Sequence, residues 1–93
     1  MTDLEKIQFG HLVRILLLLL EAEKANREIT ISQISPRTGI SPSVFYGSLK
    51  TKLERAGLVR YRHNPDRTIT VHLTEKGRRL AECLEKCREL LPD

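Results

Sequence analysis

The sequence predicts an α+β domain, mainly α, with the element order α-β-α-α-β-β-α, and three observations support that order. SPSVFYGSLKTKLERAGL (41–58) is punctuated as one helix: Ser41 is a good N-cap, Pro42 a good first helical residue and Gly57 a left-handed stop. A shorter helical segment precedes it across TGIS (38–41), the layout of a helix-turn-helix in which Gly39 bends the chain and Ile40 pins the turn. LVRYRH (58–63) and TITVHLT (68–74) then alternate with period two about the turn NPDR, so they pair as a hairpin. This combination is a winged helix-turn-helix. Residues 30–57 are expected to form the helix-turn-helix and 58–74 the wing, within a single domain spanning 1–93.

In chain order, TDLE (2–5) reads as a capping box, Thr2 with Glu5, opening a helix to about Ala25. That helix carries two apolar stripes. Leu4, Ile7, Ile15, Leu18 and Ala22 lie on one, and Phe9, Leu12, Leu16 and Leu19 or Leu20 on the other. A surface helix needs one apolar face, so two stripes predict two neighbours: the chain's own core and a second copy. EITI (28–31) is a brief β segment, and SQISPRTG (32–39) is a short helix capped by Thr30 with Gln33, or by Ser32. After the hairpin, Thr74 caps a last helix to about Leu91, with Leu80, Cys83, Leu84, Cys87, Leu90 and Leu91 at heptad-like spacing. Residues 1–26 and 75–93 are the expected dimerisation helices, with Leu16, Leu18, Leu80, Leu84, Cys83 and Cys87 at the interface.

Ninety-three residues allow one modest core, and with no Trp and 4% aromatic residues, leucine, isoleucine and valine must build it. The net charge of +4 favours an acidic partner, and RYRHNPDR (60–67) concentrates positive charge. ILLLLL (15–20) falls far short of the ~20 residues that span a bilayer, and no secretory signal is recognisable, so a soluble cytoplasmic protein without membrane contact is expected. Two cysteines are too few for a disulfide scaffold. No Gly-rich phosphate loop, carboxylate pair or nucleophile–base arrangement points to an enzyme, and no cofactor, metal or small-molecule ligand is expected. His11 reads as a packed or edge histidine, and His63 and His72 as wing or surface residues.

On a helical wheel of the central segment, Phe45, Leu49, Leu53 and Ala56 share one face, with Tyr46 just beyond it. Opposite stand Ser43, Val44, Gly47, Ser48 and Thr51, flanked by Lys50 and Lys52. Short side chains let a helix sit deep in the major groove of B-DNA, which is about 12 Å wide. Flanking lysines reach phosphates, and free N–H groups at the Ser41 end bind another. The expected DNA-binding residues are therefore Ser41, Ser43, Val44, Gly47, Ser48, Lys50, Thr51 and Lys52 on the helix, with Arg60, Arg62 and Arg67 on or near the wing. One detail departs from the common helix-turn-helix register: the later apolar position is Leu49, where Ser48 would be usual.

LERAGL (53–58) and LTEKG (73–77) make the chain resemble winged-helix transcription regulators of the MarR and PadR type, over roughly residues 30–80 and in element order throughout. Such proteins leave the recognition helix through a leucine-charged-charged-x-Gly-Leu run and enter the C-terminal helix through Leu-Thr-Glu-x-Gly. The resemblance implies a homodimer on a palindromic double-stranded DNA site, with recognition helices in the major groove and wing arginines at the minor groove. Two features depart from the pattern. Asp66 and Arg67 are adjacent where MarR-type wings carry Asp-x-Arg, and a single C-terminal helix leaves little volume for an inducer pocket. In size the chain is nearest to small archaeal or viral winged-helix regulators.

Two other functions fit the same fold: a metal- or redox-responsive regulator using Cys83 and Cys87, and a winged helix that binds protein without DNA. Four apart on a helix, the two thiols have Cβ atoms about 5–6 Å from each other. An unstrained disulfide needs about 3.5–4.5 Å. They are expected either to pack in the apolar stripe or to bond across two subunits.

Overall fold

The computed structural model describes residues 7–90; the Thr2–Glu5 capping box, Leu4 and Leu91 lie outside them. The first helix, α1 (Phe9–Lys24), starts later than the sequence suggests. Gln8 is extended (φ −59°, ψ 128°) and its carbonyl accepts from the Leu12 N–H at 3.0 Å, while Ile7 is buried in the core, so no continuous helix runs through 7 and 8. At the other end Asn26 takes the left-handed position (φ 55°), with Arg27 N donating to Ala22 O at 2.8 Å and Asn26 N to Glu23 O at 3.1 Å. That is a Schellman closure with asparagine in the usual glycine place.

β1 (Ile29–Thr30) leads through a 3₁₀ turn (Ile31–Gln33) into α2 (Ile34–Thr38). Gln33 Oε1 accepts from Thr30 N at 3.0 Å, the return bond of the expected capping pair. Gly39 (φ 78°) stops α2 with its N–H on Ser35 O at 2.9 Å, and Ile40 then enters the core. α3 is one helical run: regular at Pro42–Val44, a π turn at Phe45–Leu49, regular again at Lys50–Arg55. β2 (Val59–His63) and β3 (Ile69–Leu73) form the hairpin, and α4 (Glu75–Leu90) follows. The antiparallel sheet has the order β1-β3-β2, with Val71 of the central strand opposite Ile29 on one side and Tyr61 on the other.

Most of both stripes of α1 is covered within the chain, the exposed Phe9 excepted, because α1 is the central helix: α4 lies along it, and α2 and β3 pack against it as well. Leu12, Ile15, Leu16, Leu19, Leu20 and Ala22 are buried, and Leu18 is partly so. This corrects the inference that two stripes require a second copy. Leu16, expected at a dimer interface, has 0% exposure in the single chain. Cys83 and Cys87 depart in the other direction. Both are exposed, since α4 buries the opposite side, Gly77 and Ala81, against the core.

The two motif runs meet each other. Leaving α3, Gly57 (φ 75°) donates to Glu54 O at 3.0 Å and Leu58 N to Leu53 O at 3.1 Å, a Schellman motif with Leu53 and Leu58 in its apolar contact. The Thr74 hydroxyl donates to Gly57 O at 2.6 Å and accepts from Gly77 N at 2.9 Å, while Thr74 N donates to Leu58 O at 3.1 Å. Lys76 Nζ adds a bond to Ala56 O at 2.8 Å. Gly77 packs so closely on Leu58 that any Cβ there would run into the Leu58 carbonyl. The two motif glycines therefore differ in what they do. Gly57 reverses the backbone, and Gly77 lets α4 touch it.

Candidate nucleic-acid interface

Ser41 caps α3 as the sequence suggests, its hydroxyl oxygen accepting from Val44 N at 3.3 Å. The π turn that follows was not legible in the sequence, yet it explains the displaced register. In a regular helix each i, i+4 step overshoots a full turn by about 40°, so a row of such positions drifts around the axis. A π turn closes on the fifth residue, here Lys50 N on Phe45 O, and absorbs one extra residue. Phe45, Leu49 and Leu53 consequently keep to one buried line, and Leu49 takes the place that Ser48 would hold in a regular helix. The same correction aligns Ser43, Gly47, Thr51 and Arg55 on the outer side, all exposed. Arg55 was absent from the sequence-derived site, because a regular wheel rotates it off this row. Tyr46, expected at the edge of the buried stripe, is 50% exposed.

Val44 and Ser48 are also exposed, while Lys50 and Lys52 are half-buried. Lys50 is tied to the wing: its carbonyl accepts from the Tyr61 hydroxyl at 2.8 Å, and its Nζ lies 5.5 Å from the Tyr61 ring centroid. Burial pushes the Tyr61 phenol above its ordinary value of 10.0, with the charge of Glu54 adding to the effect, so it stays a hydrogen-bond donor. Tyr61 thereby fixes the angle between wing and helix, a role its place on an apolar strand face did not reveal.

Arg60 and Arg62 are exposed on the outer face of β2, and with Tyr61 and His72 they line a shallow cavity of about 350 Å³. The wing tip is closed by Asn64 N to Thr68 O at 2.9 Å and Arg67 N to Asn64 O at 3.0 Å. Asp66 Oδ1 accepts from both the Thr68 amide (3.1 Å) and the Thr68 hydroxyl (2.6 Å), bonds that hold its carboxyl below the usual value. Arg67 sits at φ 71°, the bulge position of the turn, where glycine is preferred.

Concave surface persists despite the single C-terminal helix. An open groove of about 530 Å³ is lined by Val13, Leu17 and Leu18 with Arg14, Arg37 and Arg88 among others. His11 is partly exposed, His63 is exposed, and His72 bonds Thr70 Oγ1 at 2.8 Å on the sheet surface.

A helix-turn-helix locked to a three-stranded sheet with an arginine-bearing wing defines a winged-helix domain. The chain belongs to the ArnR1-like winged-helix domain family, whose model matches residues 2–91. Among solved structures it is similar to AF1382 from Archaeoglobus fulgidus, at 19% identity over 96% of both chains with a TM-score of 0.80. It is also similar to a mutant Lactococcus lactis ZitR in apo form, at 26% identity and a TM-score of 0.71, covering 87% of this chain and 58% of that one. Streptococcus pneumoniae FabT in complex with DNA matches at 22% identity and a TM-score of 0.71, covering 89% of this chain and 55% of that one. AF1382 and FabT therefore show likeness of fold, and this chain spans little more than half of the ZitR and FabT chains. No curated protein sequence matches the chain. The expected winged-helix fold holds, and the family shown is the ArnR1-like winged-helix domain.

Proposed function

We propose that the chain is a double-stranded DNA-binding transcription regulator, not an enzyme, acting as a homodimer on a palindromic site. The observation that carries this reading is the outer side of α3, where Ser43, Val44, Gly47, Ser48 and Thr51 offer an exposed row with nothing bulky enough to block a groove. The FabT structure, a complex with DNA on the same fold, supports it. Ser41, Lys50 and Lys52 position the helix, and Arg60, Arg62 and Arg67 serve phosphates or the minor groove. No described helix is long and apolar enough to cross a membrane, and a cytoplasmic location fits a DNA ligand.

Fluorescence anisotropy with labelled duplexes at several salt concentrations tests this. Affinity should fall linearly with salt on a log-log plot, and a salt-insensitive interaction would reject the reading. Arg67→Gly separates backbone from side chain. It should relieve the left-handed strain and stabilise the fold by about 0.5–1 kcal/mol, while weakening binding and lowering the salt slope by about one. An unchanged slope removes Arg67 from the interface, and an absent stability gain removes the strain.

The dimer is proposed to form through residues 1–26 and 75–93. Leu18, Leu80 and Leu84 are only partly covered, and Phe9 (66%) and Leu90 (85%) remain exposed. Sedimentation at micromolar concentration should give a dimer, with half-sites about 34 Å apart on DNA; a stable monomer contradicts it. The exposure of Cys83 and Cys87 favours a second property, bonding between subunits. With diamide as oxidant, each bond forms from two thiols, whose two electrons and two protons reduce the diamide. A dimer band without reductant, lost in Cys83→Ser and Cys87→Ser, is the expected result. A monomer band throughout rejects it.

A further inference from the structure

The base-reading part of α3 lacks the side chains that usually discriminate bases. Bidentate readers of guanine and adenine are Arg, Lys, Asn and Gln, and cytosine is read by Asp or Glu. From Ser41 to Thr51 there is no Arg, Asn, Gln, Asp or Glu. The one lysine in that span, Lys50, is half-buried against the Tyr61 ring. Arg55 stands at the last helical residue, twelve positions from Ser43 and so about 18 Å along the axis. The hydroxyls of Ser43, Ser48 and Thr51 bond donors or acceptors on any base and discriminate little.

Of the exposed apolar groups in that span, which include Tyr46 and the Thr51 methyl, Val44 is the one that stands in the first turn on the outer side. Its side chain is apolar, 41% exposed, and stands in the first turn of α3, the end of a recognition helix that meets base edges. Two features hold it rigid. Its own N–H is fixed by the Ser41 cap, and a β-branched side chain in a helix has one strongly preferred rotamer. Gly47, three residues on, has open space where a side chain would stand, which lets a base-pair edge approach the helix.

The major-groove edge of DNA carries one apolar group, the C5-methyl of thymine. We infer that Val44 reads a thymine methyl, so that the site bound by α3 is selected chiefly at a T·A pair under the start of the helix. The inference rests on the DNA-binding reading above. It adds the base recognised and the residue that recognises it. Arginines of the wing suit the same DNA, because A·T-rich minor grooves are narrow and attract them.

The test is a scan of thymine to deoxyuracil, which deletes the methyl and leaves all hydrogen-bonding groups in place. Duplexes carrying the preferred site, each with one thymine replaced, are titrated against the wild-type chain and Val44→Ala. One position per half-site should weaken wild-type binding about fourfold, the effect of burying a single methyl group. Val44→Ala should bind thymine and uracil duplexes alike. A flat scan with sequence-preferring wild-type binding overturns the methyl reading and leaves the DNA-binding function standing. Sensitivity that persists in Val44→Ala overturns the assignment to this residue. Absence of any duplex binding overturns the DNA-binding function itself.

Discussion

Gly47→Glu should abolish specific DNA binding while leaving the fold intact. Gly47 is exposed at the middle of the π turn, and a side chain there meets nothing within 4 Å. Its backbone is not left-handed, so a larger residue adds no strain. Glutamate also has the better helix propensity, by roughly 0.5–1 kcal/mol. The melting temperature should stay within a few degrees of wild type. Binding behaves differently, because the new carboxylate brings bulk and negative charge to the row proposed to enter the groove. A single mismatched contact costs about 1–3 kcal/mol. Two half-sites of a dimer compound that, so a loss on the order of 10²–10⁴ in affinity is expected. Anisotropy and thermal melting on the same preparation measure both quantities. Undiminished binding by a folded variant would place α3 outside the groove.

Gly77→Ala should produce the largest loss of stability from a single methyl group. The added Cβ would run into the Leu58 carbonyl oxygen and lie 2.9 Å from its carbon. That carbonyl cannot yield cheaply, since it also accepts the Thr74 N–H at 3.1 Å. Either α4 lifts off the end of α3 or the motif contact distorts. Overpacking of this kind costs about 3 kcal/mol, which for a domain of this size corresponds to a melting point lowered by roughly 12–24 °C. Gly10→Ala is the control, because it lies in α1 with nothing within 4 Å of the new methyl. It should be neutral or slightly stabilising. If Gly77→Ala melts with the wild type, α4 does not approach Leu58 as closely as described.

Much of the fold was legible because short-range chemistry marks it. Ser41 with Pro42, Gly39, Gly57, Thr74 and the period-two strands each announce a local conformation, and each appears where expected. What escaped the sequence depended on long-range packing. Leu16 and Leu12 share a stripe that a wheel assigns to a second neighbour, yet the chain wraps α1 from both sides. Cys83 and Cys87 fit a heptad pattern, yet α4 buries Ala81 and Gly77 instead. Within the candidate site, the exposed small residues of α3 were found from periodicity. The π turn left only a displaced Leu49 as its trace, and a regular wheel therefore left Arg55 out of the outer row. Tyr61 gave no signal at all, since its bond to the Lys50 carbonyl joins residues eleven positions apart.

The most direct measurement is selection from a library of random duplexes at about 0.15 M salt, followed by sequencing of the bound fraction. A dimeric winged helix that inserts α3 into the major groove should enrich an inverted repeat whose half-site centres lie one helical turn, about 10–10.5 base pairs, apart or a multiple of that. Recovery of no preferred sequence from protein that is folded by thermal melting would contradict sequence-specific recognition through α3.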